Sequence, residues 1–268
     1  MARPENISSA ANPLVKSVRR AIARGSLTED GLCVAESFHL LEEALRSDCA
    51  VKMVLAARSV ESAVEAHVKR LAGIRLAVLP DALFQSLAGT ESSQGVITLI
   101  APPSWVLEQL FRGRSLVVVL DGVQDPGNAG TIVRAAEAFG ATGVMFLKGS
   151  ASPFNPKTLR ASAGSLFRIP YVHALDAELA QAAFKQNKLD VYAGVPFSNE
   201  NHVKSLAYAE LTRKCAVIIG SEGRGVSEHL HAGAIDLAIP TVGVESLNAA
   251  MAASVILYEA RRQRSLKP

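Results

Sequence analysis

The sequence has few cysteines, few aromatic residues and little net charge. Its three cysteines, Cys33, Cys49 and Cys215, lie far apart, which is typical of reduced thiols rather than of a disulfide framework or a zinc site. No apolar run reaches the ~18 to 20 residues that cross a bilayer, and residues 1–11 lack the apolar segment of a signal peptide. We therefore expect a cytoplasmic protein with no membrane segment and no bound metal.

Positive charge is nevertheless concentrated at both ends of the chain. The net charge is +3 over 268 residues and 49% of the residues are hydrophobic, which indicates a folded protein rather than a disordered one. Basic ends fit contact with phosphates, but they also fit termini that are merely solubilised. The basic residues include Lys16, Arg19, Arg20 and Arg24 near the start and Arg261, Arg262, Arg264 and Lys267 near the end.

Apolar runs alternate with helical patterns along the chain, which predicts two α/β domains. In the first half, helices are predicted over 13–24, 35–46, 60–72 and 81–87, with strands over 51–56, 74–79 and 95–101. In the second half, strands are predicted over 116–120, 143–147, 191–195, 216–220 and 235–240, with helices over 130–139, 176–187 and 247–264. Pro102 and Pro103 interrupt regular structure and mark the boundary between the two halves.

The strands predicted in the second half are apolar throughout, which favours a parallel sheet covered on both faces. We assign residues 1–104 to a first domain, 105–112 to a linker helix and 113–268 to a second domain. In open parallel sheets, ligands bind beyond the carboxyl ends of the strands. The polar and glycine-rich loops that follow the strands are therefore the candidates for a binding site.

The loop after the predicted strand 116–120 combines turn residues with a charged helix. Asp125 and Asn128 are suited to a turn and to the cap of a helix. Arg134 lies on that helix, away from its apolar face. It is either a functional residue or one member of an exposed ion pair with Glu137, three positions further on.

Two further loops follow later strands. Residues 220–225 read Gly-Ser-Glu-Gly-Arg-Gly, and such glycines let backbone amides approach a ligand, although glycines after a strand also make ordinary turns. The carboxylate of Glu222 is unexpected in a loop that would bind phosphate. Within residues 239–248, Ser246 is suited to capping the last helix. Neither loop matches the dinucleotide fingerprint or the phosphate loop.

Together these loops resemble the SpoU ribose methyltransferases, TrmH-like members of the trefoil-knotted SPOUT superfamily. The resemblance covers about residues 116–264, and the first half looks like the small substrate-binding domain that often precedes this catalytic domain. Thr241 departs from the family pattern, which usually has methionine there, and Ser37 stands where glycine is usual. The matching motifs are Asn128-x-Gly130-x-x-x-Arg134, Arg160-Ala161-Ser162-Ala163-Gly164, Gly220-Ser221-Glu222-Gly223-x-Gly225, Ile239-Pro240 and Ser246-Leu247-Asn248.

The resemblance implies an enzyme that transfers a methyl group from S-adenosyl-L-methionine to a ribose 2′-hydroxyl of RNA. It implies a parallel-sheet α/β catalytic domain with a deep trefoil knot, preceded by a smaller α/β RNA-binding domain, and a homodimer. The additional N-terminal domain favours ribosomal RNA of the 23S type, with transfer RNA as the alternative. No metal is expected, because the sulfonium donor is already activated.

The same resemblance assigns an expected role to each motif residue. The expected catalytic residues are Arg134, Asn128, Glu222, Ser246 and Asn248. The expected cofactor-binding residues are Gly220, Ser221, Gly225, Ile239 and Leu247. The expected RNA-binding residues are Lys16, Arg19, Arg20, Lys157, Arg160 and Arg224. Because a guanidinium stays charged at ordinary pH, we expect Arg134 to bind phosphate and to stabilise the developing alkoxide rather than to act as the base.

Two other functions remain open from the sequence. A non-catalytic RNA-binding protein could retain the same fold, although the intact motif residues argue against it. A nucleotide-dependent enzyme with an ordinary doubly wound sheet would need a fingerprint that these loops lack. Binding of S-adenosyl-L-methionine, followed by methyl transfer to RNA, distinguishes the three.

Overall fold

The computed structural model describes residues 4–69, 71, 73–89, 93–197 and 202–266. Contacts between residues divide the chain into two compact units. The first unit comprises residues 1–104 together with 154–168, and the second comprises 105–153 together with 169–268. The division at residues 104 and 112 stays a prediction, and the contacts group the segment 154–168 with the first unit.

Helices and strands alternate along both units. The helices are α1 (Pro13–Arg24), α2 (Phe38–Arg46), α3 (Glu61–Val68), α4 (Asp81–Gln85), α5 (Pro126–Ala138), α6 (Pro156–Ser162), α7 (Ala177–Asn187), α8 (Glu228–His231) and α9 (Ala249–Leu266). The strands are β1 (Glu5–Asn6), β2 (Cys33–Glu36), β3 (Ala50–Ala57), β4 (Arg75–Leu79), β5 (Val96–Ala101), β6 (Leu116–Asp121), β7 (Gly143–Leu147), β8 (Tyr171–Leu175), β9 (Asp190–Gly194), β10 (Lys204–Ser205), β11 (Cys215–Gly220) and β12 (Ile235–Ala238). The linker helix predicted over 105–112 is a short 3-10 helix at Leu107–Phe111.

The first unit is built on a mixed sheet of five described strands in the order β1-β4-β3-β5-β2. β1, β4 and β3 run parallel, whereas β5 is antiparallel to both β3 and β2. α1 packs on this sheet through Val15 and Val18, which share a core with Leu55 and Ile97. This burial leaves the opposite, basic face of α1 exposed.

The second unit is built on a parallel sheet of seven described strands in the order β10-β12-β9-β11-β6-β7-β8. Val119 and Ile218 of this sheet share one core with Phe184 of α7. Alternate residues point to the other face of a strand. Val118 and Val217 are fully buried there, where α5 and α9 pack against each other and against β7 and β11.

The predicted fold class is confirmed: a parallel α/β unit follows a smaller α/β unit. The trefoil knot stays a prediction. Among the described residues, no helix is both long enough and apolar enough to cross a membrane.

Two predicted helices start three or more residues from their predicted positions, and in each case a capping residue explains the difference. The helix predicted over 35–46 begins at Phe38, because Cys33–Glu36 forms a buried edge strand and the hydroxyl of Ser37 accepts a hydrogen bond from the N–H of Leu40. Ser37 has a φ of 139°, in the region that favours glycine, the usual family residue at this position. The helix predicted over 130–139 begins four residues earlier, at Pro126.

Candidate active site

Four neighbouring strands end at the same edge of the second sheet. In the order β12-β9-β11-β6, every adjacent pair is parallel, so the loops that follow these strands emerge side by side. The loops after β6, β11 and β12 carry the three sequence motifs. This topology explains how residues about 120 positions apart come within hydrogen-bonding distance.

The loop after β6 leads into a capped helix. Oδ1 of Asp125 accepts a hydrogen bond from the backbone N–H of Asn128 at 2.7 Å, and Pro126 occupies the first helical position. Both features favour a helix start at this point. Asp125 is therefore the cap of α5, and the side-chain amide of Asn128 is available for other contacts.

The glycine-rich loop after β11 is a tight turn. Ser221 and Gly225 exchange two backbone hydrogen bonds of 3.1 and 2.9 Å, and Oγ of Ser221 accepts a third from the N–H of Arg224 at 3.2 Å. A Cβ atom at Gly220 would lie 2.1 Å from the carbonyl carbon of Gly225, so a side chain has no room there. The hydroxyl of Ser221 and the glycines therefore shape this loop directly.

The loop after β12 ends where α9 begins, and its cap differs from the one that the sequence suggested. Oδ1 of Asn248 accepts hydrogen bonds from the N–H groups of Ala250 at 2.9 Å and Met251 at 3.3 Å. The prediction that Ser246 caps the last helix is wrong, because the helix begins at Ala249, directly after Asn248. Ser246 is exposed, and its role in catalysis stays a prediction.

A chain of side-chain hydrogen bonds joins the three loops. Nδ2 of Asn248 donates to Oδ1 of Asn128 at 3.1 Å, and Nδ2 of Asn128 donates to Oε1 of Glu222 at 2.5 Å. The carboxylate of Glu222, which was unexpected in a glycine-rich loop, is thus the last acceptor in this series of hydrogen bonds. The bond from Asn128 to Glu222 is the stronger of the two, because its acceptor is a charged carboxylate. The structure therefore brings together three of the five expected catalytic residues in one network.

A cavity of about 530 Å³ opens beside these loops. This volume lies within the ~300 to 1,000 Å³ that is typical of sites for small molecules. All five expected cofactor-binding residues line it, and so do four other predicted site residues. These lining residues are Gly220, Ser221, Gly225, Ile239 and Leu247, with Glu222, Arg224, Ser246 and Asn248.

The lining of the cavity suits S-adenosyl-L-methionine. Ile219, Leu237 and Ile256 provide an apolar wall for an adenine ring. Glu222, Glu245 and Arg224 also line the cavity. Its two carboxylates outnumber its one guanidinium, which favours a cationic ligand such as a sulfonium over a polyphosphate. Among the described residues, no group of three or more His, Cys, Asp or Glu side chains is placed to hold a metal ion.

One wall of the cavity was missed by the sequence analysis. Residues 194–197, at the end of β9 and directly after it, line the cavity, and Phe197 is partly exposed there. The signal was present, because Pro196 and Phe197 follow a strand that was predicted to belong to the parallel sheet. Ala252 of α9 was missed for another reason: the motif ended at Asn248, and small helical residues carry no distinctive pattern.

Arg134 lies outside the hydrogen-bond network. It is exposed on α5, six residues after Asn128, and it is not one of the residues that line the cavity. Within the described part of the chain, its guanidinium has no hydrogen-bond or ion-pair partner. The guanidinium of Arg134 is therefore available to bind a ligand group, because it does not form the alternative ion pair with Glu137.

The basic residues expected on α1 are exposed, as contact with RNA would require. Lys16, Arg19 and Arg20 all lie on the solvent face of the helix. Arg19 donates to the hydroxyl of Ser86 at 3.2 Å, and Arg20 forms an ion pair with Glu29. These are surface contacts of little energetic weight, so they leave the side chains free to exchange partners.

Of the two basic residues expected on α6, one is exposed and the other is committed to an ion pair. Lys157 is exposed. Nη1 of Arg160 lies 3.3 Å from Oε2 of Glu36, whose side chain is only 3% exposed. Arg160 thus holds α6 against β2, and its contact with RNA stays a prediction. Both residues belong to the first unit, whereas Arg224 belongs to the second.

Comparisons with known proteins identify the families and relatives that this chain resembles. The profile of the SpoU rRNA Methylase family matches residues 115–258, and that of the MRM3-like substrate binding domain matches residues 12–98. The chain is 32% identical over 263 residues to the 23S rRNA (guanosine(2553)-2'-O)-methyltransferase RlmP of Bacillus subtilis, a match that covers 96% of this chain and 99% of that relative.

Solved structures resemble the whole chain as well. The AdoMet-bound rRNA methyltransferase from Sinorhizobium meliloti has a TM-score of 0.80 and 27% identity, covering 96% of this chain and 97% of that one. An RNA 2'-O ribose methyltransferase has a TM-score of 0.79 and 26% identity, covering 97% of this chain and 99% of that one.

The tight turn after β11 provides a matched pair of variants. We expect Gly220→Ala to raise the dissociation constant for S-adenosyl-L-methionine by about tenfold or more, because overpacking of this kind costs ~1 to 3 kcal/mol. Gly223→Ala is the control, since a Cβ atom there has no neighbour within 4 Å. Isothermal titration calorimetry measures both constants, and equal affinities in the two variants would contradict the assignment of the loop.

Proposed function

The chain belongs to the SpoU rRNA methylase family, and on that premise we propose that it methylates a ribose 2′-hydroxyl of 23S-type ribosomal RNA. It is an RNA methyltransferase, and its cofactor is S-adenosyl-L-methionine. The observation that carries the proposal is the Asn248–Asn128–Glu222 network beside the cavity. The intact network argues against a binding protein without catalytic activity, and a nucleotide-dependent enzyme does not fit the family.

The preference for ribosomal RNA rests on the first unit. Its residues 12–98 match a substrate-binding domain, and the relative with 32% identity is named for 23S ribosomal RNA. Transfer RNA is the alternative substrate. The trefoil knot remains a prediction that follows from the family, and the cytoplasmic location remains a prediction from the sequence.

The chemistry asks little of the protein beyond orientation and charge. When bound, the cofactor supplies an electrophilic methyl group on a sulfonium. We assign to Asn128 the task of orienting the reacting groups, because its amide is held from both sides by Glu222 and Asn248. Arg134 binds the phosphate beside the ribose and stabilises the developing alkoxide. Its guanidinium stays protonated, so the proton of the hydroxyl leaves to another acceptor.

RNA binding is assigned to a basic surface of the first unit. A Cβ atom at Gly25, which ends α1, would lie 2.6 Å from Nδ2 of Asn155, which caps α6, so the two helix ends adjoin. Lys16 on α1 and Lys157 on α6 are both exposed, and the ammonium group of neither has a described partner. Together they extend the positive charge of α1 onto α6.

A homodimer is proposed from the surface of α9. Met251, Val255 and Tyr258 are 58%, 40% and 58% exposed, and their spacing of four and three residues puts them on one face of the helix. An exposed apolar stripe of this kind marks an interaction surface. The occupant that we propose is a second copy of this chain, as the family implies.

The reaction is tested by mapping 2′-O-methyl groups. We expect one ribosomal site to lose its methyl group when the gene is deleted and to regain it with the wild-type gene but not with Arg134→Ala.

In purified protein, Arg134→Ala should lower kcat by about 100-fold or more, because a lost transition-state charge contact costs ~10² to 10³ in rate. The dissociation constant for S-adenosyl-L-methionine should stay within about twofold, since Arg134 does not line the cavity. Loss of cofactor binding with normal residual turnover would refute this role.

The basic surface is tested by the salt dependence of RNA binding. We expect the double variant Lys16→Ala/Lys157→Ala to bind RNA more weakly and to reduce the magnitude of the slope of log K against log salt by about 1 to 2. The reason is that RNA binding releases fewer counterions when the protein contacts fewer phosphates. Lys69→Ala, an exposed residue directly after α3, is the control. Filter binding at several salt concentrations measures the slopes, and an unchanged slope in the double variant would exclude this surface.

The dimer is tested by charge placed on the stripe. We expect Val255→Glu to shift sedimentation at micromolar concentration from dimer to monomer, because two buried carboxylates would face each other without partners. Leu179→Glu on α7 is the control, since Leu179 is also an exposed apolar residue, at 54%. A wild-type protein that sediments as a monomer would contradict the proposal.

A further inference from the structure

The last turn of α9 is anchored to the edge of the sheet opposite the site. The guanidinium of Arg264 donates to four backbone carbonyl oxygens, with distances from 2.6 to 3.1 Å. The acceptors are Leu211, Arg114, Ser115 and Arg213. Few side chains other than arginine could serve, because a planar fork with five N–H donors is needed to reach several carbonyl groups at once.

The neighbouring residue reinforces this anchor. Oε1 of Gln263 accepts a hydrogen bond from the N–H of Leu211, and its Nε2 donates to the carbonyl of Ala209, both at 2.9 Å. We call Gln263 and Arg264 the terminal clamp. The clamp fastens the end of α9 to the chain segment that leads into β11.

The clamp is partly removed from water. Desolvation lowers the pKa of the Arg264 guanidinium below its ordinary value. A cation that has lost part of its hydration persists only where polar atoms replace the water, and the four carbonyl oxygens do so here. Arg264 is therefore a built contact rather than a solvated surface charge.

The carbonyl groups that Arg264 binds precede the two central strands of the site. Ser115 lies directly before β6, Arg213 lies two residues before β11, and the carbonyl of Ser115 also accepts a hydrogen bond from the N–H of Cys215. The opposite ends of β6 and β11 carry the loops with Asn128 and Glu222. The clamp thus ties α9 to the same two strands that hold the other members of the network.

The other end of α9 enters the site. Asn248 caps it, and Ala249, Ala252 and Ile256 line the cavity. A helix of 18 residues is ~27 Å long and behaves as a rigid rod along its axis. A shift or rotation that is prevented at Arg264 is therefore also prevented at Asn248.

We propose that Arg264 is a positioning residue for the cofactor site. Arg264 fixes the position and the rotation of α9 relative to β6 and β11. It thereby keeps Asn248 within hydrogen-bonding distance of Asn128 and keeps the helical wall of the cavity in place. The inference rests on the proposed use of this cavity by S-adenosyl-L-methionine. It does not depend on which RNA is methylated.

The test compares Arg264→Gln with Arg261→Gln. Arg261 is exposed on the same helix three residues earlier, so its replacement removes the same charge without touching the clamp. We expect Arg264→Gln to raise the dissociation constant for S-adenosyl-L-methionine by about fivefold or more, and Arg261→Gln to leave it within about twofold, since coupling through packed elements changes affinity by several-fold. Calorimetry measures the constants.

A second readout uses the protein without cofactor. Hydrogen exchange of the amides of residues 250–253 should be faster in Arg264→Gln than in Arg261→Gln, because the first turn of α9 loses its fixed position. Arg264→Lys should fall between wild type and Arg264→Gln in both measurements, since an ammonium reaches fewer of the carbonyl groups. Thermal unfolding of the same variants reports any general loss of stability. Comparison of the melting temperatures with the affinities and exchange rates therefore distinguishes positioning from destabilisation.

Each outcome decides the proposal. A raised dissociation constant with faster exchange at 250–253 supports it, and a lower melting temperature with unchanged affinity and exchange overturns it. If Arg264→Gln does not fold, Arg264→Lys is measured in its place with the same criteria. If the wild-type protein binds the cofactor but methylates no ribosomal RNA, the proposed substrate fails while the affinity and exchange results still stand.

Discussion

The pairing of β11 with β6 puts Gly220 opposite Asp121 at the carboxyl edge of the second sheet. This register runs without a shift over six residue pairs, so the glycine-rich loop and the start of α5 leave the sheet next to each other. A parallel sheet ends all its strands at one edge, and the loops after β9 and β12 therefore join them. The cavity, the amide of Asn128 and the carboxylate of Glu222 all depend on this pairing.

Four polar side chains convert the adjacent loops into one site. Asp125 caps α5 and thereby leaves the amide of Asn128 available, while Asn248 caps α9 and still has its own amide nitrogen to donate. Asn128 is held between Asn248 and the carboxylate of Glu222. Because an amide both donates and accepts, it can connect a donor on one loop to an acceptor on another. The result is an oriented amide beside a cavity whose lining includes the carboxylates of Glu222 and Glu245.

Much of the fold followed from local patterns, and the exceptions have local causes. The bounds of α1 and β7 match the prediction, because cap residues or an uninterrupted apolar run mark them clearly. β8 and α6 were not predicted, since β8 is only partly buried and α6 spans seven residues. The role of Ser246 as a cap was wrong because Asn248, two residues later, is equally suited to capping. Pattern alone cannot choose between two such neighbours.

By itself, the sequence determined the alternation of strands and helices, the glycine-rich turn and the motif residues at the strand ends. These depend on periodicity, on backbone freedom and on residue type, which are local properties. Only the tertiary structure decided that Asn248 contacts Asn128, that Glu222 is the acceptor, that residues 194–197 complete the cavity and that Arg160 is committed to Glu36. Such contacts depend on strand order and on how rigid elements pack, and a linear pattern does not specify the distance between residues that are remote in the chain.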